Sequence, residues 1–268
     1  MSSHITQIAK RAVAPSIALR LLLNLAQTRA VKRSDQGLTL IEGLVAIIVV
    51  TITVVSITPP IFWATGSRVQ TRRAEQALQL AQGEIDRVRT LVERDKFDIT
   101  DLPPEAGTEE DIRNGNVGAP NSAEESAKIV SADPACSSKV GKSIPTAKNR
   151  YIQVDVDTDK TCQADFLVQT FRSEGLDENG ASAKGNKPAA FVIGVRVYSY
   201  VAQAELNAGR GQKEQVSLKG TTGLGNQLQR PLAVLYSTIV PSNTSTNVDL
   251  YRALCKPTNT DLQGSRKC

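Results

Sequence analysis

The sequence predicts an α+β fold. One long N-terminal helix is membrane-embedded in its first half and packs, in its second half, on a small antiparallel β-sheet with a disulfide-closed C-terminal region. Three observations predict it. No charged residue occurs from Gly43 to Ser67. That run passes straight into an amphipathic segment where Leu78, Ala81, Ile85, Val88 and Val92 recur at spacings of three and four. Beyond it, runs of strand-forming residues alternate with turn residues, and every cysteine lies C-terminal to the apolar run.

The N-terminal 37 residues come first in order. They hold Lys10, Arg11, Arg20, Arg29, Lys32 and Arg33 against Asp35 alone, which accounts for the whole net charge of +5. From residue 38 onward 26 basic and 26 acidic residues cancel. A basic protein suggests nucleic acid, but here the excess charge belongs to one segment that flanks an apolar run. It fits the cytoplasmic side of a membrane span, with the C-terminus outside. No nucleic-acid partner is predicted. The stretch Ile17–Leu25 is interrupted by Arg20 and is too short to span. The polar Lys32-Arg33-Ser34-Asp35-Gln36-Gly37 stands just before the main apolar run. An ordinary secretory signal has the opposite order.

The run Gly43–Ser67 rises ~37 Å as a helix, enough for a hydrocarbon core of ~30 Å. Glu42 sits at its start and Pro59-Pro60 in its second half. Proline removes a helical hydrogen bond and crowds the preceding turn, so a kink or local unwinding is expected there. The amphipathic part should continue to about Lys96, with Asp98 and Pro103-Pro104 ending it. Arg72, Arg73, Glu75, Gln79, Gln82, Asp86 and Arg89 fall off the apolar stripe.

Residues 100–149 have loop composition, with a short helix expected around Ser122–Val130. Strands are expected at Arg150–Asp157, Asp165–Phe171, Ala190–Ala204 and Pro231–Val240. Asp177-Glu178-Asn179-Gly180 and Gly220–Asn226 mark turns or loops. Asn243–Cys268 has the composition of an irregular tail. Cys136, Cys162, Cys255 and Cys268 form no C-x-x-C and have no histidine nearby, so zinc is poorly supported and two disulfides are expected. Three pairings are open. The shortest loops favour Cys136–Cys162 and Cys255–Cys268.

Enzyme chemistry finds little footing. The one histidine is His4, and aromatic content is 4%; histidine is the usual acid–base group near neutral pH. No Gly-x-Ser-x-Gly occurs. Gly220-Thr221-Thr222-Gly223-Leu224-Gly225-Asn226 lacks the Lys and Ser/Thr of a phosphate loop. Glu109-Glu110 lies in a segment of turn-forming composition and fits solvated charge. No cofactor is predicted. Asp155, Asp157 and Asp159 alternate as calcium ligands would. Lys160 stands where an EF-hand needs glycine, however, and no glutamate follows at position twelve. The reading taken is one solvated strand face, with calcium as its alternative.

Gln36-Gly37-Leu38-Thr39-Leu40-Ile41-Glu42-Gly43-Leu44-Val45-Ala46-Ile47 resembles the cleavage and methylation signature of type IV prepilins. The resemblance implies cutting between Gly37 and Leu38 by a prepilin peptidase and N-methylation of Leu38. Glu42 is then the fifth mature residue and Pro59 the twenty-second, both at the family's usual positions. Two features depart from the pattern: leucine replaces the commoner phenylalanine at the first mature position, and the leader is long. Residues 67–75 and 83–89 are similar to cyanobacterial pseudopilins of hormogonium polysaccharide secretion. That narrower likeness covers residues 36–95.

The resemblance implies four segments: a cleaved leader over 1–37, a membrane and assembly helix over 38–66, its amphipathic half over 67–97, and a pilin-like globular part over 98–268. It implies a structural subunit held in the inner membrane, with its C-terminal part periplasmic, that joins a secretion fibre. Its partners would be lipid, the peptidase, an inner-membrane assembly platform and other pilin or pseudopilin subunits. Physically, a carboxylate deep in lipid costs ~2.5–3.5 kcal/mol, and the new amine at Leu38 is a second buried charge. Glu42 of one subunit would offset the amine of the next. The alternatives are a minor pilin of a motility or DNA-uptake fibre, and a membrane-tethered periplasmic enzyme or receptor with a convergent polar pocket.

Overall fold

Thr39 opens one α-helix, α1, over Leu40–Glu93. The computed structural model describes residues 39–124, 129–139, 144–158, 160–216, 224–242 and 246–255, and of 59–67, 137–139 and 224–225 the backbone alone. The chain divides into two compact units, Met1–Ile61 and Phe62–Cys268.

In the first unit, Leu40–Thr58 is long and apolar enough to cross a membrane, and none of it is buried within the molecule. Its hydroxyls turn inward on their own helix. Thr51 Oγ1 donates to Ile47 O, Ser56 Oγ to Ile52 O and Thr58 Oγ1 to Val54 O, each at 2.7 Å. Such back-bonding satisfies a hydroxyl where no water is present. The helical assignment continues through Pro59 and Pro60, so local unwinding is absent. The two prolines lack N–H groups, which takes the helical donors from the carbonyls of Val55 and Ser56.

In the second unit, the buried stripe of α1 is Ala74, Ala77, Ala81, Ile85, Val88 and Val92. Leu78, expected on this stripe, is exposed instead. Ala74 and Ala77 take buried positions instead. The helix ends at Glu93 rather than Lys96. Asp95 adopts φ 51°, a left-handed conformation that closes helices, and Phe97 folds back into the core.

The sheet has six strands: β1 Ser122–Ala123, β2 Val130–Ser131, β3 Arg150–Asp155, β4 Phe166–Arg172, β5 Phe191–Ser199 and β6 Ala233–Ile239. The order is β1-β3-β4-β5-β6, with β2 also paired to β3. The β3–β4, β4–β5 and β5–β6 pairs are antiparallel, as expected. The sheet as a whole is mixed, which corrects the purely antiparallel expectation: β1 and β2 both run parallel to β3. Parallel pairing requires a long connection, and residues 132–149 supply one. These short strands also replace the helix expected around Ser122–Val130, of which 125–128 lie outside the described residues.

Alternation along the central strands builds two layers. Phe166 and Val168 of β4 and Phe191, Ile193, Val195 and Val197 of β5 form one buried cluster with the α1 stripe, Ala233 and Ile239. Each fully buried aliphatic side chain contributes about 1.5–3 kcal/mol. The other face carries Tyr151, Leu167 and Tyr198, covered by Ala202 and Leu206. It also carries Phe171 and Val192, covered by Ile112 and Val117. Ile112 belongs to α2, Glu109–Arg113. Glu109 is not merely solvated: its Oε1 accepts from Ser173 Oγ and from the Gly175 N–H, both at 3.1 Å.

Two further boundaries move. Strand β5 stops at Ser199, and the chain continues as a 3-10 turn and the helix α3, Gln203–Asn207. Ala202 and Leu206, four apart, bury one helical face there. Between α4, Leu224–Gln227, and the C-terminus, Asn247–Leu254 forms a helix, α5, rather than an irregular tail. Leu250 and Leu254 anchor it beside Ala190. Of the cysteines, Cys136 and Cys162 form a disulfide, the shorter-loop pairing. Cys255 is disulfide-bonded as well, and Cys268 lies outside the described residues.

Candidate functional site

The first candidate is the start of α1. Gly37 and Leu38, the expected cleavage and methylation positions, lie outside the described residues. Glu42 lies in the first helical turn, three residues after Thr39. The Glu42 N–H donates to Thr39 Oγ1 at 3.3 Å and to Thr39 O at 2.9 Å. Thr39-Leu40-Ile41-Glu42 therefore has the spacing of a capping box, and the carboxylate stands at the positive end of the helix dipole. Around it Leu40 and Ile41 are 88% and 67% exposed. An apolar helix without cover inside its own chain fits a membrane span or a signal sequence.

The second candidate is a group of acids where β3 meets β4. Ligand oxygens of Asp155, Asp157 and Asp165 all lie within 4.8 Å of one another. Strand register explains the meeting. Val154 pairs with Phe166, which brings Asp155, just after Val154, and Asp165, just before Phe166, to the same end of the hairpin. The Asp165 N–H donates to Val154 O at 2.9 Å, and Asp165 Oδ2 accepts the Val156 N–H at 3.0 Å.

This arrangement corrects the solvated-face reading. Strand β3 ends at Asp155, which is only 2% exposed, while Asp157 is exposed beyond the strand end. Asp159 lies outside the described residues. Asp165 was not foreseen as a partner, although its position ten residues after Asp155 is what a short antiparallel hairpin returns to the same level.

Neighbouring chain closes on this corner. Ser131 of β2 donates to Asp155 Oδ2 at 2.8 Å and accepts the Asp133 N–H at 3.0 Å. The Cys136–Cys162 bond ties the segment after β2 to the β3–β4 connection. In that connection Lys160 and Cys162 take φ 65° and 50°, conformations that persist in non-glycine residues only where the surroundings enforce them. A pocket of about 200 Å³ opens beside the acids, lined by Asp157, Thr161, Asp165 and Tyr200, with Arg73 and Gln76 of α1.

Compared with protein-family models, with characterised proteins and with solved structures, the chain matches none.

Proposed function

We propose that this chain is a structural subunit, a pseudopilin of the type IV pilin class, in a short secretion fibre. The peptidase cuts between Gly37 and Leu38, Leu38 is N-methylated, and the subunit waits in the inner membrane until it is drawn into the fibre. One observation carries the reading: a carboxylate, Glu42, in the first turn of the apolar segment Leu40–Thr58, which is otherwise uncharged and has none of its length buried within the molecule. A passive anchor has no use for such an acid. An assembling helix does, because the amine at the start of the next subunit compensates it. The likeness of residues 36–95 to pseudopilins of polysaccharide secretion favours polysaccharide as the cargo of the system.

Intact-mass measurement of the protein from native membranes tests this directly. The expected chain begins at N-methyl-Leu38. A chain that keeps residues 1–37 in cells with active prepilin peptidase overturns the proposal.

A further inference from the structure

Arg172, the last residue of β4, is buried and lines a cavity of about 610 Å³. The backbone puts it there. Its N–H donates to Pro104 O and its carbonyl accepts the Ala106 N–H, both at 2.9 Å, so the segment after Pro103 runs alongside the strand end. Ile99, Leu102, Pro104, Ile144 and Pro145 give the cavity apolar walls. The guanidinium is engaged at one corner only. Nη1 donates to Ser173 O at 2.8 Å and to Glu174 O at 3.3 Å. Among the described residues nothing accepts from the buried Nε or from Nη2. A buried donor left without an acceptor is costly. Nε and Nη2 together form the edge whose two parallel N–H groups match a carboxylate. Glu105 does not fill that role. Its Oε2 stands 3.9 Å from Nη1, too long for a hydrogen bond, and accepts the Gly185 N–H at 3.1 Å. Lys148 lines the cavity too. Two cations and one carboxylate leave one positive charge. Burial lowers the Arg172 pKa, and Glu105 opposes that shift only in part.

We propose that this cavity binds a small organic acid: a carboxylate, carried on an apolar body, whose two oxygens accept from Nε and Nη2 of Arg172. Lys148 adds attraction from its exposed position. The proline and aliphatic walls cover the body, as in ligand pockets of ~300–1,000 Å³. This site is independent of the fibre reading and belongs to the globular part of the chain.

The test titrates the full chain, isotope-labelled in non-ionic detergent micelles, with isovalerate, and follows the backbone amides of residues 99–106 and 172–174 by NMR. Isovaleramide, the same shape without the charge, and acetate, the charge without the body, are the controls. Isovalerate should give saturable shifts with a dissociation constant of about a millimolar, and both controls should bind at least tenfold more weakly. Arg172→Lys keeps a charge but loses the two-donor edge, and should bind isovalerate at least tenfold more weakly. Glu105→Gln removes the repelling carboxylate and leaves the edge in place, so it should bind isovalerate several-fold more tightly. Where Arg172→Lys does not fold, that gain decides by itself. Equal binding of isovalerate and isovaleramide overturns the proposal, because the cavity is then a purely apolar recess. No saturable shift in the parent, or no gain in Glu105→Gln, overturns it as well.

Discussion

The backbone N–H of Glu42 donates to the hydroxyl of Thr39, a cap that any residue at 42 would receive, so the glutamate side chain is there for one of two roles. As the third residue of a capping box it steadies the helix start, a contribution of about 1 kcal/mol or less. As an isolated carboxylate in lipid it seeks a positive partner.

The two reasons separate by substitution. Glu42→Gln keeps the length and hydrogen-bonding capacity that capping uses, and removes the charge. Membrane insertion should be unchanged in both Glu42→Gln and Glu42→Ala, and incorporation into sheared fibres should fall at least tenfold in both. Normal incorporation of Glu42→Gln would reduce Glu42 to a capping residue.

The Cys136–Cys162 bond closes a loop with a sequence separation of 26 residues. Chain-entropy arguments assign such a loop about 3.5 kcal/mol. Replacing both cysteines by serine should lower the unfolding free energy of the globular part by that amount and move its denaturation midpoint down accordingly, read by chemical unfolding under oxidising conditions. An unchanged midpoint would mean that the β2 segment is held by its hydrogen bonds alone.

Gly194 sits where β5 passes Phe171. A Cβ built at 194 would clash with the Phe171 ring. The same ring stacks under the Arg196 guanidinium at 4.9 Å. That buried guanidinium donates to Val117 O at 2.8 Å and Gly118 O at 3.0 Å. Gly194→Ala should therefore destabilise by about 1–3 kcal/mol through overpacking. It should also raise hydrogen exchange around residues 117–118, because displacing the ring disturbs the arginine. A neutral effect on stability would show that the ring can move without loss.

Acid should loosen the start of α2 late. The Thr108 hydroxyl, then Asn116 and the Thr108 N–H, donate to the Asp111 carboxylate and hold its pKa below the ordinary carboxylate value. A depressed folded-state pKa means that the contribution is fully present above the unfolded value of about 3.9. It is lost as pH falls through the lower folded value. Following the Asp111 carboxyl by NMR should give a midpoint below the usual range, moved upward in Thr108→Val. A midpoint that stays put would rule out the hydroxyl as the main cause.

Some of this architecture is legible without coordinates. The uncharged run, the acid at its head and the three-four stripe from Ala81 to Val92 are properties of neighbours along the chain, and local periodicity is enough to reveal them. The four main strand segments follow from runs of strand-forming residues in the same way, but the burial of both faces of β4 and β5 does not. Leu78 is different: its periodicity places it on the stripe, yet Ala77 is fully buried and Leu78 stays exposed. That choice depends on how the helix is turned against the rest of the core, which no local pattern encodes.

The sequence by itself determined a long helix with an apolar first half, the acid at its start, the four strand segments and the set of cysteines, because each is written in residues a few positions apart. Tertiary structure alone decided the parallel addition of β1 and β2 to β3, the helix at Asn247–Leu254, and the meeting of Asp155 with Asp165. Those depend on which segments cross, and in what register. Asp165 joins Asp155 because a hairpin carries the chain back to the same level, and a buried carboxylate then faces its like.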